Sequence, residues 1–237
     1  MKTNTENRSA KVQRGFIELI VPYKDSELTF VYPAKGPNTY IEVGNQIEQS
    51  GLIRPTSEET VHLVHLAYFD DNVKDEPEFN DIRGIMKNRW FWEFTRNLWT
   101  SEGVYVYDNR DGKLVDESDL IKKLEANDRS VRFVPKGFKL GEQTSEELAK
   151  NPYIIARYSE EGAEKLAEVA GQFSSNPYVY GLTNVRKSEQ RVSALGHYWG
   201  GDRLGVGGSD FVGVSGGYAL GVRESGEATR AEKKAII

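Results

Sequence analysis

Short runs of β-branched and aromatic residues alternate with helix-like patterns over the first 180 residues of the chain. The runs that predict strands are 15–21, 28–32, 39–43, 101–107, 130–134 and 153–158. The first two end near Pro22 and Pro33, and proline cannot donate a ladder hydrogen bond. Strands and helices mixed in this way indicate an α+β protein.

Apolar residues at helical spacing predict helices at about 55–69 and 79–99, then a short one to Leu124 and a last one at 159–173. The first begins at Pro55 and Thr56, where a capping residue precedes two acids. The third is expected to be capped by Asp116 or Ser118, after a turn at 109–112.

Composition narrows the class of protein. The 237 residues are 38% hydrophobic and 28% charged, which is typical of a folded globular chain. No apolar run approaches the roughly 20 residues of a membrane span, and the polar start of the chain does not resemble a secretory signal. The net charge of −5 argues against a nucleic-acid surface. The absence of cysteine excludes disulfides, thiol catalysis and thiolate metal sites.

Three features suggest chemistry, and each has a plainer interpretation. His62 and His65 lie three residues apart on a predicted helix, but only His197 could join them, so no metal is predicted. The acidic run at 70–78 lacks the spacing and central glycine of a calcium loop. The aromatic cluster at 90–99 could stack a base or a sugar, although aromatic residues at helical spacing usually form core.

Glycines are concentrated near the end of the chain. Ten of the 23 lie between Gly196 and Gly221, inside a glycine-rich stretch at 193–223. That stretch has no lysine for a phosphate loop and no room for a dinucleotide-binding unit. It also lacks the GxSxG of a nucleophile elbow. We therefore expect no enzymatic function and no cofactor.

The same stretch lacks four residue types altogether. Lys, Glu, Gln and Met make up 48 of the 237 residues, yet none occurs among the 31 residues of 193–223. The residues found there, such as Gly, Ser, Asp, Val, Tyr, His and Phe, are reachable from an AAY codon when its adenines are replaced. Trp199 is not reachable in this way and would be a fixed position. A glycine-rich surface loop would also lack long side chains.

The order of the fixed residues resembles a known family. Trp199 is followed by Arg203-Leu204-x-Val206 and by the ending Gly217-Tyr218-Ala219-Leu220-Gly221-Val222-Arg223. This pattern is similar to the C-terminal variable region of the variable proteins of diversity-generating retroelements. The acidic, cysteine-free chain looks most like their archaeal, Nanoarchaeota-like branch. The resemblance covers about 30 residues.

The resemblance implies a C-type lectin fold in which the N- and C-terminal strands pair, here 16–21 beside 219–223. It implies solvent-facing, variable ligand-binding residues at His197, Tyr198, Gly200, Gly201, Gly205, Gly207, Gly208, Ser209, Asp210, Phe211, Gly213, Val214 and Ser215. It implies scaffold anchors at Trp199, Arg203, Leu204, Val206, Tyr218, Val222 and Arg223. The Glu-Pro-Asn and Trp-Asn-Asp patterns of calcium-dependent lectins are absent, so neither calcium nor carbohydrate is predicted.

These observations predict one domain over 1–223, with a loosely ordered tail at 224–237. The expected function is non-enzymatic binding of an unknown protein ligand on another cell or on a particle. The location of this protein stays open, and the cell surface or a virion would require export by another route. Two alternatives stay open. One is a viral or phage-like receptor-binding or structural protein, for which a trimer is expected. The other is an enzyme that uses the 90–99 region with His62 and His65.

Overall fold

The computed structural model describes residues 11–13, 17–197 and 202–223. The predicted strand at 15–21 lies partly outside these residues, and the predicted tail at 224–237 lies wholly outside them. The helices are α1 (Tyr40–Gln49), α2 (Ser57–Phe69), α3 (Pro77–Asn88), α4 (Glu117–Glu125), α5 (Ser145–Lys150) and α6 (Pro152–Ala170). The strands are β1 (Lys11–Gln13), β2 (Glu18–Tyr23), β3 (Ser26–Asn38), β4 (Trp90–Trp99), β5 (Gly103–Asp108), β6 (Val131–Pro135), β7 (Gly141–Glu142), β8 (Ser175–Tyr180), β9 (Glu189–His197), β10 (Arg203–Asp210) and β11 (Gly217–Val222).

The strands form one large mixed sheet in the order β1-β2-β3-β11-β4-β9-β10-β8-β7. Two strands share one edge of β4. β11 pairs with its first residues, and β5 pairs with Thr95–Trp99. β11 is antiparallel to β3 and parallel to β4, whereas β10 is antiparallel to β9 and parallel to β8. The C-terminal region therefore lies in the middle of the sheet. The α+β prediction is confirmed.

Two apolar layers cover opposite faces of this sheet. On one face α2, α3 and α6 pack against buried residues such as Leu195, Leu204 and Leu220. On the other face α1 packs on Trp92 and Phe94. Ala219 and Leu220 are adjacent on β11 and belong to different layers, as the alternation of side chains along a strand requires.

Three sequence predictions of helix and turn chemistry are confirmed. Thr56 caps α2, and a reciprocal hydrogen bond from its backbone N–H to Glu59 completes a capping box. Asp116 caps α4 by accepting from the backbone N–H of Asp119 at 3.0 Å. The predicted turn at 109–112 closes through a hydrogen bond from Gly112 N–H to the Asn109 carbonyl.

Three element predictions are wrong. The strand expected at 39–43 is the start of α1, because Thr39 caps the helix and Tyr40, Val43 and Ile47 present one buried stripe. The strand expected at 153–158 is the first part of α6, where Asn151 caps Tyr153 and Pro152 is the first helical residue.

The helix expected at 79–99 ends at Asn88, and β4 follows it. All of β4 after Trp90 is buried, because layers cover both faces of the sheet. A strand buried on both faces shows no alternation of polar and apolar residues, so its large side chains imitate helical spacing.

The strands at the N-terminus also differ from expectation. The first ends near Pro22, as predicted, because β2 ends at Tyr23, whereas β3 runs past Pro33 to Asn38, and its register against β11 shifts between its pairs. The C-terminal strand pairs with β3, not with the segment 16–21, so the implied pairing is wrong by one strand. β2 lies on the other side of β3. Arg223 nevertheless reaches across to β2, where its Nε lies 2.5 Å from Glu18 Oε1.

Candidate functional site

The candidate ligand surface centres on the loop 211–216, which joins β10 to β11. Phe211 is 61% exposed and Val214 is 38% exposed, although both are large apolar side chains. Gly213 and Ser215 are exposed as well. A Cβ added at Gly213 would meet no atom within 4 Å. These four positions therefore have room for other side chains.

The ring of Phe211 is covered on one face by a cation. The guanidinium carbon of Arg191, on β9, lies 4.2 Å from the ring centroid. Arg191 is held in turn by an ion pair with Glu189, and its Nη1 donates to the Gln190 carbonyl at 3.0 Å. Arginine over an aromatic ring is a favourable pairing that leaves the other face of the ring free. Arg191 lies just before the glycine-rich stretch at 193–223 and is not among the ligand-binding residues predicted from the sequence.

The two ends of the loop are fixed to the sheet. Val212 packs inward against the layer that contains Trp92. Gly216 N–H donates to the Asn38 carbonyl at 3.3 Å, and the same carbonyl accepts from Trp92 Nε1 at 3.0 Å. A Cβ at Gly217 would lie 2.4 Å from the indole nitrogens of Trp90 and Trp92. Only glycine fits at this close approach.

Three of the predicted ligand-binding residues do not face solvent. Gly205, Gly207 and Gly208 are buried, because β10 lies between β8 and β9 in the middle of the sheet. A Cβ at Gly207 would lie 2.3 Å from Asp210 Oδ2, and one at Gly208 would lie 1.7 Å from the Tyr153 hydroxyl. The expectation that these three glycines face solvent is wrong, and at Gly208 the Tyr153 ring and the Tyr180 carbonyl leave no room for a side chain.

Asp210 has an unusual environment at the end of β10. Its Oδ2 is buried and has no hydrogen-bond partner among the described residues. Burial raises the pKa of this carboxyl to about 6, and the charge of Arg157 opposes the rise. A carboxylate in this state is costly to the fold, and it lies directly before the exposed Phe211.

The other predicted ligand residues vary in position. His197 is half-buried, and its backbone N–H donates to the Arg89 carbonyl at 2.9 Å. Ser209 is half-buried. Tyr198, Gly200 and Gly201, and the predicted anchor Trp199, lie outside the described residues.

The remaining predicted anchors are part of the framework. Leu204, Val206 and Val222 are buried in the helix-covered layer, and Tyr218 packs against it. Arg203 Nη2 lies 3.3 Å from Glu142 Oε2, and its guanidinium lies over the ring of Tyr178.

The histidines do not assemble into a site. His62 is buried, its ring nitrogens have no hydrogen-bond partner among the described residues, and burial lowers its pKa to about 4. His65 pairs with Glu168 at 2.5 Å and stacks on Phe69. In the described ranges no group of three His, Asp or Glu residues is arranged to hold a metal ion.

The aromatic cluster at 90–99 is mainly core. Trp92 and Trp99 are buried, and only Trp90 is half-buried. Trp99 Nε1 donates to the Gly208 carbonyl at 2.7 Å, which ties β4 to β10. Trp92 and Trp99 therefore do not form an exposed stacking platform for a base or a sugar.

No family model, curated protein or solved structure matches the chain. Within the described residues, none of the helices has the length and apolar character needed to cross a membrane.

Proposed function

We propose that this protein is a non-enzymatic binding protein whose ligand surface is the loop 211–215 with Arg191 beside it. The observation that supports this most is the contrast between the loop and its support. Phe211 and Val214 are exposed, whereas Gly208 and Gly217 leave no room for a side chain. Change is tolerated at the first set of positions and excluded at the second.

The chemistry of the loop suits recognition of a protein. Exposed aromatic rings, arginine and small flexible residues are the types that contribute most at such surfaces. Phe211 offers a rigid apolar face, Arg191 offers directed donors, and Gly213 and Ser215 adapt to the partner. The proposed partner is a protein on another cell or on a particle.

We further propose that the scaffold is a C-type lectin fold and that its loop is diversified by a retroelement. The sequence resemblance at 199–223 supports this. So does the antiparallel pairing of the last described strand with β3, the second strand of the N-terminal hairpin. The missing Lys, Glu, Gln and Met of 193–223 fit diversification at adenines. The set of candidate variable positions is reduced by the three buried glycines of β10.

Two display libraries test the binding proposal. One randomises Phe211, Gly213, Val214 and Ser215, and the matched control randomises Gly207, Gly208, Gly217 and Gly221. We expect most members of the first library to fold and the second to lose folded members almost completely. Selection of the first against several unrelated proteins should yield specific binders. Equal loss of folding in both libraries, or no binder to any target, would contradict the proposal.

A further inference from the structure

A small cavity of about 350 Å³ lies at the end of β4, and the proposed binding function does not use it. It is bounded by the end of β4, the start of β5, the turn 136–140 between β6 and β7, and the segment that follows β8. Its volume is at the lower end of the range for small-molecule sites, which are roughly 300–1,000 Å³. The ligand loop lies elsewhere, because Val212 packs against the layer under α1 on the other face of the sheet.

The walls of this cavity are apolar. Phe138, Leu140 and Leu182 pack against the layer under α2, α3 and α6 and are only half-buried, so each keeps apolar surface at the cavity. Trp99 lies beneath them with its Nε1 engaged in the hydrogen bond to β10. The far end of the ring, Cη2, lies beside Gly181, where an added Cβ would be 2.5 Å from Cη2 and 2.7 Å from Leu140 Cδ2. Such walls favour a ligand with an apolar body.

The turn 136–140 is held in place by contacts with the rest of the protein. The Phe138 ring stacks on Tyr153, with the two centroids 5.2 Å apart. The Lys139 carbonyl accepts from Asn151 Nδ2 at 2.7 Å and from Gln143 Nε2 at 2.9 Å. This wall is therefore formed before a ligand arrives, and binding needs little ordering of the protein.

The charge at the cavity comes from a single lysine. Lys136 is the one charged residue among the described residues that line it. Its backbone N–H donates to the Glu102 carbonyl at 2.9 Å, but its ammonium has neither an ion pair nor a hydrogen bond within the described ranges. Lys139 differs, because its Nζ donates to both carboxylate oxygens of Glu147, at 2.8 and 2.7 Å. An apolar cavity with one unpaired cation at its wall favours a ligand with one negative charge.

We propose that this cavity binds a compact apolar monocarboxylate, a molecule of about one ring with a short chain. The apolar body packs against Phe138, Leu140 and Leu182, and the carboxylate accepts from the Lys136 ammonium. A cavity of this volume is too small for a helix of a partner protein with its side chains. This site goes beyond the proposed binding of a protein by the loop and does not depend on it.

The test compares three probes with the same phenylpropyl skeleton and different head groups: phenylpropionate, its neutral amide and the corresponding amine. Calorimetry on the full chain near neutral pH, at ionic strength held constant with NaCl, measures each affinity. We expect saturable binding of the carboxylate, weaker binding of the amide and the weakest binding of the amine. Any other order, or no saturable binding of the carboxylate, would overturn the proposal.

Two lysines of the same turn provide a matched pair of variants. Lys136→Gln should weaken binding of the carboxylate by about fivefold, the upper range for an exposed ion pair, and leave binding of the amide unchanged. Lys139→Gln should change neither affinity, because Glu147 already holds that ammonium. Equal effects of the two variants on the carboxylate would contradict the role of Lys136.

A second pair of variants locates the bound probe. Thr183 is exposed and lines the cavity, whereas its neighbour Asn184 is exposed and does not line it. Thr183→Trp should fill the cavity and abolish binding of the carboxylate and of the amide, and Asn184→Trp should retain both. The midpoint of thermal unfolding of each variant reports whether it is folded. Binding that survives Thr183→Trp, or that is lost in both folded variants, would overturn the proposal. Neither result bears on the loop, because the libraries described above vary no residue of this cavity.

Discussion

The Tyr153 hydroxyl lies where a side chain at Gly208 would begin, only 1.7 Å from the ideal Cβ position. That hydroxyl donates to Asn97 Oδ1 at 2.8 Å inside the core, so it is not free to move aside. The Gly208 carbonyl, on the same residue, accepts from Trp99 Nε1. Gly208 is therefore a fixed framework position within a stretch whose neighbouring loop is open.

This relationship predicts opposite outcomes for two glycines five residues apart. Gly208→Ser should lower the free energy of unfolding by about 1–3 kcal/mol or more, because it overpacks a rigid site. Gly213→Ser should change it by no more than about 0.5 kcal/mol, since its Cβ meets open space. Urea unfolding of both variants measures the difference. Equal stability of the two would contradict the assignment of framework and loop.

His62 predicts a loss of stability in mild acid. Burial lowers its folded-state pKa to about 4, against an ordinary value of 6.5. Between these values the unfolded chain binds a proton that the folded chain does not, so stability falls as the pH drops through this window. The full effect is about 3 kcal/mol.

The variant that isolates this effect is His62→Phe, which retains the edge-on packing against Tyr23. Unfolding free energies of the protein and the variant should diverge progressively from pH 6.5 to pH 4, with the variant losing less. Parallel curves would show that His62 does not titrate in this way.

The raised pKa of Asp210 predicts a dependence of stability on pH that has the opposite sign to that of His62. Its pKa is raised from 3.8 to about 6 in the folded state, so the folded chain holds its proton more tightly. Stability from this group is present below pH 3.8 and is lost as the pH rises to 6. Asp210→Asn should therefore stabilise the protein at pH 7 by up to about 3 kcal/mol and by much less at pH 4. Thermal unfolding at the two pH values checks this, and a destabilised variant at pH 7 would count against it.

Ser159 predicts a difference between two small substitutions. Ser159→Gly and Ser159→Ala both remove the hydroxyl that caps the second part of α6, but only glycine accepts φ 66° without strain. The glycine variant should be more stable than the alanine variant by about 1–2 kcal/mol. Chemical denaturation of the pair tests it, and an alanine variant of equal or greater stability would mean that the helix is not broken there.

The elements that could be predicted from the sequence are those whose signals lie within a few residues of one another. Thr56 and Asp116 are caps whose partners lie three residues away, so α2 and α4 could be recognised. β4 could not, because its burial on both faces is a consequence of α1 and α6 packing on it from distant parts of the chain.

The residues of the candidate site also fall into those that could be predicted from the sequence and those that could not. Phe211 and Val214 could be assigned to a surface from the composition of their stretch. Gly208 could not be excluded from it, because the atom that excludes it belongs to Tyr153. Arg191 depends on a contact between β9 and the loop, for which the sequence has no local signal.

The central claim is that an exposed, diversified loop lies on a fixed scaffold, and sequencing the gene with its flanking DNA in many individuals tests it most directly. We predict that differences concentrate in the codons of Phe211, Gly213, Val214 and Ser215 and in those of His197, Tyr198, Gly200 and Gly201. The codons of Gly207, Gly208, Gly217 and Arg223 should be constant. A reverse transcriptase gene and a near-copy of the 193–223 codons should lie nearby. Differences spread evenly along the chain, with neither element present, would contradict the account.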